Sequence, residues 1–428
     1  MEVILVKEFD WIISKENYTD IEPGIINVDQ KIFELLEKFV LSYSIDSEGF
    51  GSSDFFSISV KKKYGKVISP KNYVGVIQLS SKHQIEVLPK VDTCSNIRDL
   101  FIKMLRCMKD FPSRSIGGAA LRVDRLNLYE IFISMYISEA RDLVKQGIKS
   151  DYISIEDNLK YYKGKLLFND QIKHNTIRKD RFYVMYDEFL IDRPENRLIK
   201  STLLKLSGLS NSNENQKEIR QLLSHFEMVH ASKNYNSDFS KVKIDRNLLE
   251  YKELMKWSKV FLLNKSFSTF TGDNDVRALL FPMEKLFEAY VGKEIKKQGQ
   301  RLDCKVNLQD RGYYLFEHQF ALRPDIVVEK ADGQIIIMDT KWKNLFDNPN
   351  INYGISQSDM YQMYAYAKKY SSNEIWLIYP QNNEMNGEKV IIYSSDDNVN
   401  VNIFFVDLKN IEQSIALLFS RVIDGVDL

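Results

Sequence analysis

Cysteine is scarce: Cys94, Cys107 and Cys304 are scattered through 428 positions with no CxxC spacing. That excludes a disulfide framework and a zinc module. The five histidines show no ligand spacing either. Long hydrophobic runs are also missing. The opening segment MEVILVKEFDWIIS is interrupted by Lys7, Glu8 and Asp10, too short and too charged for a signal peptide or a membrane span. The protein is therefore expected in the cytoplasm, away from membranes. No charge of one sign dominates, because Lys plus Arg and Asp plus Glu each total 59. Any contact with nucleic acid has to come from local patches or be shared with a partner. No GxxxxGK[ST] occurs, so this chain is not expected to bind or hydrolyse a nucleotide by itself. Fixed-period repeats and low-complexity tracts are absent as well.

What is present describes an ordinary globular chain. The hydrophobic fraction is 44%, and the length suggests two or three domains. The pattern predicts a multidomain α+β protein: a mixed β/helical N-terminal region, then a C-terminal α/β domain whose central mixed sheet is flanked by helices. The expected divisions are 1–150, a small β-rich part plus a helical hairpin; 151–272, a connecting region; and 273–428, the last domain. In the first, a helix is predicted over 28–41 and strands over 55–60, 73–79 and 84–88. A turn over 63–71 carries Lys63, Lys66 and Lys71, with Lys61 and Lys62 beside it. These lysines read either as a solvated loop or as a basic tip for phosphate or a partner. Helices are predicted over 97–111 and 128–146, the second ending at Gly147. Core packing and docking on a partner would give the same apolar faces there. Further on, a strand is expected over 181–192, a helix over 193–206 with Pro194 in its first turn, loops over 207–216 and 231–240, and a helix over 248–263. A long helix over 276–297, capped by Asp273 or Asp275, opens the last domain.

The chemistry concentrates in ALRPDIVVEKADGQIIIMDTKWK, residues 321–343. Two β-branched runs flank Asp332-Gly333, a strong hairpin signal. Residues 325 and 339 are equidistant from 332, so Asp325 is expected opposite Asp339 or within one residue of it, with their side chains a few ångströms apart. Lys341, two residues beyond Asp339, shares its face. Two carboxylates that close repel unless a cation lies between them. Magnesium fits: it takes one or two carboxylates, waters and substrate phosphate oxygens. The Thr340 carbonyl is a further candidate ligand. Lys341 would orient or help deprotonate an attacking water and offset phosphate charge. Upstream, Glu284 and Glu288 lie on the predicted helix, and Glu288 is open between a solvent-facing residue and a metal ligand. Downstream, a helix over 357–370 puts Gln362 and Tyr366 on one face, suited to gripping a phosphate or a base. Trp342 and Tyr361 are open between stacking on DNA and packing. His318, on an expected strand, reads as a packed histidine. A lone DxK is weak, and an ion-paired structural face competes with the metal reading. The combination is what favours a metal-dependent nuclease.

These residues resemble a known series. Pro324-Asp325, Asp339-x-Lys341 and Gln362-x-x-x-Tyr366 are similar to the PD-(D/E)xK nucleases, including the RecB-like branch. VGVIQLSSKHQIEVLPKVD (74–92), GKLLFNDQIKHN (164–175), YDEFLIDRPENRLIKSTL (186–203) and MEKLFEAYV (283–291) narrow the resemblance to the McrC family, the nuclease subunits of McrBC-type modification-dependent restriction systems. The resemblance runs from about residue 74 to about residue 380. It implies an endonuclease of duplex DNA, dependent on Mg2+ with Mn2+ able to substitute, whose catalytic triplet is Asp325, Asp339 and Lys341. It also implies a partner, an McrB-like AAA+ GTPase ring contacted through the N-terminal region and stimulated by it. Pairing of two nuclease domains would serve a double-strand cut. Two alternatives stand beside this: a free-standing repair nuclease, and a non-cutting adaptor that activates an AAA+ GTPase.

Overall fold

The structure, a computed structural model, describes residues 2–14, 22–45, 55–79, 83–91, 96–109, 111, 126–263 and 277–424. The chain parts into two compact units, one made of residues 1–111 with 272–428 and the other of 112–271. Cys94, Asp273 and Asp275 lie outside the described residues.

The first unit is built on three larger sheets. One runs Glu2–Lys7, His83–Leu88, Tyr73–Gln78, Arg277–Pro282, the first pair parallel and the others antiparallel. A second runs Ile25–Val28, Trp11–Ser14, Gly65–Pro70, Phe56–Lys61, beside the helix Gln30–Ile45. The third is mixed and six-stranded: Lys305–Leu308, Ile326–Glu329, Ile335–Thr340, Glu374–Pro380, Asn400–Val406, Ile391–Ser394. Its central strands are near-continuous apolar runs because helices cover both faces. Ile337, Ile375, Leu377, Val401 and Ile403 pack with Met363 and Tyr366 of the helix Gln357–Tyr370. On the other face lie the helices Met283–Arg301 and Ile411–Asp424, where a Cβ added at Gly299 would come within 2.4 Å of Val306.

Several expectations need correction. Residues 277–282 are a strand, and the helix begins only at Met283. Pro282 disfavours helical backbone at Phe281, and the open edge of Tyr73–Gln78 takes up RALLFP as a strand. The expected turn over 63–71 is mostly the strand Gly65–Pro70, which pairs with Phe56–Lys61. Its lysines are engaged locally: Lys63 with Glu22, Lys66 with Glu37, and Lys61 over the Trp11 ring. The helix expected over 97–111 ends at Leu105. His318 is exposed at the tip of the hairpin Tyr314–Phe316 and Gln319–Ala321, its φ of 53° fitting a turn rather than a packed strand.

The second unit, by itself, is a helical cluster with a small antiparallel sheet. Leu128–Gln146 spans its predicted bounds and stops at Gly147, whose φ is 97°. Its Tyr136 and Phe132 bury against Trp257 and Phe261 of the helix Tyr251–Leu263. The helix predicted over 193–206 runs Pro194–Leu209. Two expected loops hold helices instead, Asn213–His225 and Tyr235–Lys241. Both are polar on most faces, but Ser212 and Asn234 cap them through backbone N–H groups three residues on. Among the described residues, no helix is long and apolar enough to cross a membrane.

Candidate active site

The hairpin forms as its residues dictate. Lys330 and Gln334 close the turn, Asp332 accepts the Gln334 N–H, and Gly333 takes a φ of 86° that favours glycine. The ladder pairs Ile326 with Met338 and Val327 with Ile337. One further step sets Asp325 opposite Asp339. Asp325 Oδ2 accepts from the Thr340 N–H at 2.8 Å and from Thr340 Oγ1 at 2.6 Å. Thr340 thereby fixes the aspartate just before the start of its strand, Ile326–Glu329.

Asp339 is 2% exposed. Its Oδ2 has no aligned hydrogen-bond donor, but Lys341 Nζ sits 2.6 Å away as an ion pair. Lys341 Nζ also donates to Gln362 Oε1 at 3.2 Å, and Gln362 Nε2 donates to the Tyr366 hydroxyl at 2.7 Å. Ser356 caps the helix that carries them. Glu288 accepts from Gln309 Nε2 at 2.8 Å, while the Gln309 backbone N–H is bound to the Asp325 carbonyl.

Asp325, Asp339, Thr340, Lys341, Gln362 and Glu288 line one cleft of about 900 Å³. Tyr366 is buried behind Gln362, and burial, with Asp339 nearby, pushes its hydroxyl up to about 12. Trp342 packs its ring on Phe287, whereas Tyr361 is 67% exposed.

The electrostatics are strained in one direction. Burial raises Asp339 above the usual carboxylate range, and Asp325 raises it further. Burial raises Asp325 as well, against the pull of the Thr340 donors. Glu288 is raised by burial and by Asp325. Burial alone would depress the Lys341 ammonium, but Asp339, with Asp359 and Asp325, outweighs it and the pKa ends raised. The cleft thus crowds carboxylates whose ionisation burial disfavours around one lysine whose ammonium they favour.

The model for the McrBC 5-methylcytosine restriction system component matches residues 68–380. The chain belongs to this family. Its fold is that of a chain in the refined half-complex from a tetradecameric assembly of Thermococcus gammatolerans McrB AAA+ hexamers with bound McrC. The TM-score is 0.68 at 19% identity, covering 99% of this chain and 100% of that one. A chain in the cryo-EM structure of the T. gammatolerans McrBC complex is 22% identical, with a TM-score of 0.46 over 68% of this chain and 86% of that one. No curated protein matches.

This McrBC-family cleft has a wall that the sequence did not announce. Glu8, Asn72 and Lys90, from the N-terminal segment, line it with Glu284, which accepts from Asn72 Nδ2 at 3.3 Å. In the sequence Glu8 is a charge that interrupts an apolar run, yet it is 0% exposed. No local pattern marks it, because its partners lie far along the chain.

Proposed function

We propose that this chain is the DNA-cutting subunit of a restriction complex, an Mg2+-dependent endodeoxyribonuclease of the PD-(D/E)xK type. The observation that carries the reading is the convergence of Asp325, Asp339 and Lys341 in one cleft, at the end of a hairpin whose register opposes the two carboxylates.

The donor set fits a hard divalent ion. Two opposed carboxylates, a third in Glu288, and the burial that raises Asp339 and Glu288 all favour a further cation there. Among the described residues no group of three or more His, Cys, Asp and Glu side chains is preassembled for a metal. Magnesium does not need such a cage, since water and substrate phosphate complete its shell. Asp325 and Asp339 would hold it, with the Thr340 carbonyl and Glu288 as further oxygens, and Mn2+ can substitute. When bound, the ion supplies Lewis-acid polarisation of the phosphate and a more acidic water. Lys341, whose Nζ lies 2.6 Å from Asp339, would donate to a phosphate oxygen and orient or help deprotonate the attacking water. Gln362, steadied by Tyr366, aims that ammonium and offers its amide to the substrate.

Family membership supports the restriction setting. The T. gammatolerans assembly, with McrC bound to McrB AAA+ hexamers, supports an McrB-like GTPase partner for the N-terminal region. Such a partner would supply the nucleotide hydrolysis for which this sequence has no phosphate-binding loop. One site cuts one strand, so a break in duplex DNA calls for two copies.

The test is plasmid cleavage with Mg2+, with and without an McrB-like partner and GTP, alongside Lys341→Ala. Cutting that needs the partner, GTP and Lys341 is expected. Cutting by the isolated chain would remove the partner dependence. GTP turnover stimulated without any cutting would point to an adaptor.

A further inference from the structure

The strand Ile335–Thr340 ends one residue before Lys341. From there the chain leaves the sheet, so the direction in which Lys341 reaches depends on what pins residues 341–343. Its backbone N–H is held by the Ile378 carbonyl at 2.9 Å, and Lys343 N–H turns back to the Lys341 carbonyl at 3.0 Å. The other anchor is the side chain of Trp342. Its indole Nε1 donates to both oxygens of Glu8, at 3.1 and 3.2 Å, and its ring lies 5.4 Å from that of Phe287, next to Glu288.

Glu8 is itself tightly fastened. Its N–H is bonded to the Leu88 carbonyl, and its Oε2 accepts the Lys90 N–H at 3.0 Å. It is 0% exposed, and its carboxylate is held by a backbone N–H and an indole N–H, with the Lys90 charge nearby. A carboxylate in that position costs stability, and an apolar pair would join the two segments at lower cost. What the carboxylate provides is direction: two acceptor oxygens hold one indole N–H and one backbone N–H in fixed positions.

We propose that Glu8 is a positioning residue for Lys341, acting through Trp342, so that the N-terminal sheet sets the aim of the lysine in the cleft. The inference rests on the nuclease reading above. Lys341 Nζ makes contacts of 2.6 Å to Asp339 and 3.2 Å to Gln362. A displacement of about 1 Å in a reacting group lowers a rate by roughly 100-fold.

The experiment measures kcat and KM for Mg2+-dependent DNA cleavage by the full-length chain, in the assembly in which the wild type cuts, with thermal unfolding of every variant. Glu8→Ala and Trp342→Phe are each expected to lower kcat by about 10- to 100-fold with the KM for DNA unchanged. Glu8→Gln, which keeps a carbonyl oxygen for the indole, is expected to recover most of that loss. Wild-type kcat in Glu8→Ala, or a change confined to KM, overturns the proposal. Should Glu8→Ala fail to fold, Trp342→Phe decides, since it keeps a ring against Phe287 and removes the N–H donor. Unaltered kcat in that variant is equally fatal. A wild type that cuts while Glu8→Ala cuts with the same kcat, and Lys341→Ala does not cut, removes only the role of Glu8. A wild type whose cutting survives Lys341→Ala removes the nuclease site and this inference with it.

Discussion

Asp339 carries the sharpest electrostatic conflict in the cleft, being almost fully buried, opposed by Asp325 and compensated by a single ammonium. A residue so placed costs stability, and under the proposed nuclease reading what it returns is metal binding. Asp339→Asn is therefore expected to reduce DNA cleavage by at least about 100-fold while leaving the melting temperature in EDTA unchanged or raised. Added Mg2+ should stabilise the wild type, by about 2.7 kcal/mol at 100 times its Kd, and should not stabilise the variant. An equal Mg2+ response in both, followed by differential scanning fluorimetry, would contradict the assignment of Asp339 as a ligand. Glu8 makes a separate prediction through pH. Burial pushes its pKa from 4.5 to about 7, against the pull of Lys90 and Trp342. Between those values the folded state holds more protons than the unfolded state, so stability falls as pH rises through the window and the penalty is constant above it. Glu8→Gln lacks that penalty. Its stability relative to the wild type should rise by about 3 kcal/mol between pH 5 and pH 8 in urea titrations. A gap that does not change with pH would show that Glu8 is ionised as easily as a surface glutamate. The proximity of Asp325, Asp339 and Lys341 was legible because a hairpin converts sequence symmetry into nearness. Glu8 was not, because its contact with Trp342 spans 334 positions.

At the scale of elements, what could be read was whatever carried a local period or a punctuating residue. The helix Gln357–Tyr370 and the helix Leu128–Gln146 keep their predicted bounds because their apolar spacing, caps and terminators agree. The helix Asn213–His225 was hidden by its polar composition, since only a narrow stripe at Asn215, Ile219 and Leu222 is buried. The strand Arg277–Pro282 was hidden for another reason: RALLFP suits either state, and its choice is made by a strand some two hundred positions earlier in the chain. That pairing is tight. A Cβ at Gly75, whose φ is 140°, would lie 2.0 Å from the Leu279 carbonyl oxygen. Gly75→Ala is expected to force the two strands apart and destabilise the first unit by about 3 kcal/mol or more, read as a lowered urea midpoint. Gly333→Ala is the control at the hairpin turn. It also has a positive φ but nothing within 4 Å of the added Cβ, so it should cost only about 1 kcal/mol. Equal losses at the two positions would mean that backbone conformation, and not the close approach, governs Gly75.

At the scale of the whole molecule, the sequence suggested a last domain over 273–428, and the same residues depend on the beginning of the chain in two ways. Among the described residues, Arg277–Pro282 pairs with Tyr73–Gln78, and the Trp342 indole donates to Glu8. Without residues 1–111, a strand that leads directly into the helix Met283–Arg301 would have an unpaired edge, and the indole N–H beside Lys341 would lose its partner. Unpaired edges and orphaned donors both favour local opening or association. A fragment of residues 273–428 is therefore expected to unfold below the temperature of the full-length chain, with early amide exchange at residues 277–282 and 341–343. The six-stranded sheet should stay protected longest, since its core strands are buried on both faces. Exchange at 341–343 as slow as in the full-length chain would mean that the sheet alone fixes the end of its strand. In that event the N-terminal segment would form a wall of the cleft without governing the aim of the lysine.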